Sequence, residues 1–176
     1  MAIHKEKNSN EVSTMIIGCD PGLDGGIAIL NGSYIELMET IPTEKKTGFI
    51  KRQVDAQKLS NILRVYPDAV CYLEKVASRP GQGVGSVFSF GDTYGAIRGV
   101  LGALNIPTYY VAPQTWKKEL KISSKEDSLK AAEELLKASK TPDFWGKFRK
   151  KDHNIAEALL LAHYGQKERE NGQNDI

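Results

Sequence analysis

Three short β-rich runs, MIIGCD (15–20), GGIAIL (25–30) and SYIELMET (33–40), follow one another with only PGLD and Asn-Gly turns between them. Connections this short permit only antiparallel neighbours, because a parallel crossover needs a dozen or more residues. The chain is therefore committed at its start to a strand meander. After residue 40 the period changes. Val54, Leu59, Ile62, Leu63 and Tyr66 recur at helical spacing until Pro67. AVCYLE (69–74) is a continuous apolar run of the kind buried in a central parallel strand, and TYYVAP (108–113) reads as a fifth strand. Between those two strands a glycine-dense stretch, 79–95, passes into an apolar helix that ends before Pro107. A short helix, QTWKKEL, and an amphipathic one capped by Ser124 and Asp127 come next. A connector, TPDFWGKFRKK, then leads to a last helix over 152–164. Strands first, then alternation, predicts an α/β fold: a mixed five-stranded sheet flanked by helices, in the order βββαβαβα. One domain is expected over 15–165, between a disordered polar lead at 1–14 and a polar tail at 166–176.

Composition removes several classes. In 176 residues no window approaches the roughly 18 apolar residues of a membrane span, so no membrane partner is expected. Two cysteines, Cys19 and Cys71, make neither a disulfide scaffold nor a four-thiolate zinc site. Each sits in an apolar run and reads as a buried, reduced thiol. The first 13 residues have neither an apolar signal core nor Arg-rich transit character. The expected location is cytoplasmic, in a phage or bacterial setting, with an organellar one requiring a trimmed transit peptide.

The chemistry sits at element ends. Asp20 closes the first strand and Glu74 the fourth, and ligands of open α/β sheets gather at such ends. Either acid alone is equally a turn or salt-bridged residue. In DHNIAEALLLAHYG, His153 and Glu157 stand four apart and share one face of a helix otherwise built for burial. The plainer alternative is an N-cap Asp152 followed by a solvated His–Glu pair. Together Asp20, Glu74, His153 and Glu157 are oxygen and imidazole donors suited to Mg²⁺ or Mn²⁺ rather than structural zinc.

Seven ordered stretches carry a family resemblance: IGCDPGLDGGIAIL (17–30), VDAQKLSNIL (54–63), YLEKV (72–76), FSFGDTYGAIRGVL (88–101), VAPQTWKKEL (111–120), SSKEDS (123–128) and KKDHNIAEALLLAHYG (150–165). In these the chain resembles the RuvC-type Holliday junction resolvases of the RNase H-like superfamily, in their phage-like and chloroplast-type branch. The resemblance implies catalytic metal ligands at Asp20, Glu74 and Glu157. The fourth falls on His153, with Asp152 as its substitute, because the place three residues before Glu157 that bacterial RuvC fills with Asp or His is Asn154 here. Lys125 aligns with a lysine that modulates the metal site in that branch; from the residues alone it is a solvated first-turn lysine. The implied reaction uses two Mg²⁺ (or Mn²⁺) ions to cut a four-way DNA junction symmetrically on two strands, leaving 5′-phosphate and 3′-hydroxyl ends. The implied assembly is a homodimer, and the apolar, glycine-bearing helix over 94–104 is either its interface or core beneath the sheet.

Charge resolves along the chain. The total is +2, yet residues 110–151 hold eleven Lys or Arg against six acids, a net +5. Beside a nuclease site this segment reads as a phosphate-binding surface through Lys117, Lys118, Lys121, Lys150 and Lys151; on charge alone it is a solvated helical face. Arg79, Gln82 and Phe88 of the glycine-dense stretch are candidate junction contacts, since bacterial RuvC's aromatic three residues after the strand-four glutamate is replaced by Ala77. Trp116, Phe144 and Trp145 read as packing residues. The competing readings are a nuclease on other branched DNA or on RNA, a non-catalytic junction-binding module, and an actin-like ATPase, for which the chain lacks the second domain.

Overall fold

The computed structural model describes residues 14–48, 51–77, 80–141 and 152–174. The lead expected over 1–14 lies outside them except for Thr14, as do Arg79, Phe144, Trp145, Lys150 and Lys151.

The meander forms as its turns dictate. Strands β1 (Ile16–Asp20), β2 (Gly26–Asn31) and β3 (Tyr34–Thr40) pair antiparallel in sequence order. Gly32 supplies the positive φ of 58° in the two-residue connection that places Asn31 opposite Tyr34. A second, two-stranded sheet then appears where a lysine-bearing loop was expected: β4 (Thr43–Lys45) against β5 (Arg52–Val54). Helix α1 (Ala56–Leu63) starts at the Asp55 cap, whose side chain accepts from the Lys58 amide. Strand β6 (Val70–Glu74) lies parallel to β1, and β7 (Thr108–Val111) parallel to β6, giving a five-stranded mixed sheet in the order β3-β2-β1-β6-β7. Helix α2 (Val84–Ala103) bridges these two strands; α3 (Pro113–Glu119), α4 (Lys125–Ala138) and α5 (His153–Asn174) complete the chain. Ser124 and Asp127 cap α4 reciprocally, as their spacing predicts.

The sheet divides two apolar layers by the period of its strands. Ile16 and Tyr72 face α3, α4 and α5, whereas Ile17, Cys19, Cys71 and Leu73 face α1 and α2. Both cysteines are buried and unpaired, and burial pushes both thiols up. None of the described helices is long and apolar enough to cross a membrane.

Helix α5 differs from its expected length. The polar stretch after Gly165, read as a tail, continues the helix to Asn174. Gln166 Nε2 donates to the Gly32 carbonyl at 2.8 Å, and Lys167 lies 3.6 Å from Glu119. These are tertiary contacts, invisible to local pattern.

Candidate active site

The site begins with strand period and register. Ile16, Gly18 and Asp20 alternate onto the α5 side of β1, and Val70, Tyr72 and Glu74 do the same on β6. Because Cys19 pairs with Leu73, Asp20 and Glu74 come one position later as neighbours at the carboxyl ends of two parallel strands.

Glycine then lets the last helix approach. A Cβ on Gly18 would collide with the Ala158 carbonyl and the Ala162 amide, and one on Gly26 with the Asn154 carbonyl. Gly26 is the antiparallel partner of Asp20. The first turn of α5 thus rests directly over the end of β1, and Glu157 enters the space above the strand acids. Asn154 secures this seat by donating from Nδ2 to the Asp24 carbonyl at 2.7 Å. The residue at the place of bacterial RuvC's ligand is here a tether for the β1–β2 turn.

Glu157, only 6% exposed, is closely surrounded. Its Oε1 accepts from Ser128 Oγ at 3.1 Å and forms an ion pair with Lys117 Nζ at 2.6 Å. His153 Nε2 also lies 3.1 Å from that oxygen, but not in hydrogen-bonding geometry: among the described residues this buried nitrogen has no hydrogen-bond partner. His153 Nδ1 faces Asn154 Oδ1 at 3.1 Å. Glu74 Oε2 accepts the Trp116 indole Nε1–H at 2.9 Å. Asp152, immediately before α5, is buried.

Crowded carboxylates resist ionisation. Burial, then the charges of Glu74 and Glu157, push Asp20 up to about 7 against the opposing Lys117 ammonium. Burial likewise raises Glu74, with the Glu157 charge adding to it and the Trp116 hydrogen bond, Lys117 and His153 opposing it. Such acids need positive charge. Their oxygens and the orphaned imidazole nitrogen form a donor set that fits Mg²⁺ or Mn²⁺. Among the described residues no group of three or more such side chains is placed to hold a metal ion, and Lys117 supplies the neutralising charge.

The structure sets Asp20, Glu74 and Glu157 within electrostatic reach of one another, places His153 beside Glu157, and pairs Lys117, expected to contact phosphate, with Glu157. Lys118 and Lys121 stay exposed, as do Gln82 and Phe88 on the other side of the sheet's end, Phe88 at 63%. Lys125, the first residue of α4, is exposed and makes no ion pair among the described residues. Two neighbours of the acids escaped sequence reasoning. Trp116 passed for packing because an indole gives no sign of where its N–H points. Ser128 had a readable signal: with Ala132 it forms the small, inward i,i+4 pair of α4.

No family model matches the sequence, and no curated protein matches it. Solved structures do. Thermus thermophilus RuvC in complex with Holliday junction substrate superposes with a TM-score of 0.64 at 16% identity, over 89% of this chain and 96% of that one. A further T. thermophilus RuvC structure gives 0.57 at 16% identity, over 90% and 97%. With the five-stranded order and the flanking helices, this likeness establishes that the chain has the RNase H-like fold of RuvC.

Proposed function

We propose that the protein is a metal-dependent endonuclease that resolves four-way DNA junctions. One observation supports the reading: on a fold shared with a RuvC that is bound to a Holliday junction, Asp20 and Glu74 at neighbouring strand ends lie close enough to Glu157 for their charges to oppose ionisation of Asp20, with His153 3.1 Å from Glu157. Asp20, Glu74, Glu157 and His153 would hold two Mg²⁺ or Mn²⁺ ions, with Asp152 as substitute for His153. When bound, such ions activate water and stabilise the leaving 3′ oxygen of an in-line displacement, giving 5′-phosphate and 3′-hydroxyl ends. The chain's own part is placement. Strand register fixes Asp20 against Glu74, Ser128 orients Glu157, and the buried wall of α5 excludes bulk water from one side of the pocket. Lys117 keeps the acids neutralised until it exchanges Glu157 for solvent or phosphate.

Paired cuts on a nearly two-fold-symmetric junction call for two sites, which a C2 homodimer provides. Helix α2 offers the surface. Val84 and Phe88 are exposed on it, and a Cβ at Gly91, Gly95 or Gly99 would meet nothing within 4 Å. Lys118, Lys121, Lys125 and the basic connector ending at Lys150 and Lys151 would bind phosphates, with Arg79, Gln82 and Phe88 at the crossover.

The test is incubation with Mg²⁺ and labelled four-way junction, splayed duplex and RNA–DNA hybrid, mapping each broken bond. Symmetric cuts in the junction are expected, and Asp20→Asn should bind it while cleaving at least about 10³-fold more slowly. Cleavage of hybrid alone would redirect the activity to RNA, and binding without cleavage would leave a junction-binding module. Sedimentation with and without junction reads the dimer; a monomer at high concentration refutes it.

A further inference from the structure

Helix α3 places two successive residues on two different acids: Trp116 on Glu74 and Lys117 on Glu157. They hold their partners by different physics. The Lys117 ammonium sits on a flexible four-carbon stem, 5.0 Å from the Trp116 ring centre, and a second cation in the pocket would repel it. The Trp116 indole is neutral and 0% exposed, fixed in the core between the sheet and α5. It has a single polar atom, a donor, and that atom is committed to Glu74 Oε2 at 2.9 Å. A phenyl ring would supply most of the apolar contact, so the N–H is the one feature that packing does not require.

We infer that Trp116 is the positioning residue of Glu74: its indole N–H pins Oε2 and leaves Oε1 as the oxygen presented to a divalent ion. The inference rests on the metal-dependent reading above. A neutral, immobile donor stays in place whether or not a cation arrives, whereas the ammonium beside it must yield. Trp116 thereby sets the carboxylate's orientation before metal binds, and outer-shell partners of this kind typically govern about 10–100-fold in metal affinity.

The test removes the N–H and little else. In a Trp145→Phe background, which leaves Trp116 as the single tryptophan, tryptophan is replaced biosynthetically by benzothienylalanine, whose sulfur takes the place of the N–H. Calorimetry with Mn²⁺ alone should show affinity weakened about 10-fold or more, with metal-free junction binding unchanged. Equal Mn²⁺ affinity in both proteins overturns the positioning role and leaves the nuclease reading intact. Failure of the unsubstituted protein to bind Mn²⁺ overturns both. A second measurement needs no substitution at Trp116: its ¹H–¹⁵N indole resonance in the Trp145→Phe protein should lie in the hydrogen-bonded range and move on Mg²⁺ titration. A resonance at the free-indole position, unmoved by Mg²⁺, refutes the contact.

Discussion

Helices α2 and α5 are the two longest in the protein, 20 and 22 residues, and both are rich in apolar and small side chains, yet they have opposite fates. α5 is buried on all sides between Ile155 and Ala162, and Glu157 within that span turns inward to the strand acids. α2 buries only Thr93, Ile97, Val100 and Leu101 and turns glycines outward. The difference lies in who carries the glycine. Beneath α5 the receiving strands do, at Gly18 and Gly26, so the backbone and alanines of the helix sit on bare strand backbone, while its own Gly165 closes against the Tyr72 ring. In α2 the helix itself does, and its open side meets no partner among the described residues. Glycine at a buried contact seats a helix; glycine on an open face leaves a surface.

The sharpest way to break this contrast is Gly18→Val. The branched side chain has no space against the Ala158 carbonyl, so α5 must lift; a loss of about 4 kcal/mol or more is expected, read by urea denaturation. Asp20→Asn acts in the reverse direction. A carboxyl held near 7 in the folded chain, well above its unfolded value, contributes stability at low pH that is lost as pH rises from about 4 to about 7. Metal-free wild-type protein should therefore weaken across that interval, with Glu74 adding to the slope. At pH 7.5 without divalent ions, Asp20→Asn should gain roughly 1–3 kcal/mol in the same denaturation. If its pH profile is as steep as wild type's, Asp20 is not the strained acid. The smallest effect belongs to α2: Gly95→Ala should raise the stability of the monomer by about 0.5–1 kcal/mol through helix propensity. It should also weaken self-association if the open face is the dimer interface, so Tm measured against protein concentration separates the two.

The strands and the acids were legible because period and position are local. MIIGCD and AVCYLE reveal buried strands ending in carboxylates, and His153 with Glu157 reveals one helical face. What escaped depends on distant partners. The 166–174 turns of α5 look like a polar tail until Gly32 and Glu119 come within reach. The β4–β5 hairpin has its cross-strand bond, Gln53 to Glu44 at 2.6 Å, in place of an apolar pattern. Lys117 and Lys118 are indistinguishable as letters; helix α3 turns one toward Glu157 and leaves the other in water. A net charge counts lysines without saying which way each faces.

The contact of α5 with the sheet at Gly18 has a consequence for how the site responds to change. Its spacing is set by main-chain atoms of β1 against main-chain atoms of Ala158 and Ala162. The leucines around it seal the contact without acting as its ruler. Altering Leu159 or Leu160 therefore changes how tightly the helix is held, but not the height at which it stands above Asp20. Stability and the distance of the helix from Asp20 are separately adjustable in this fold.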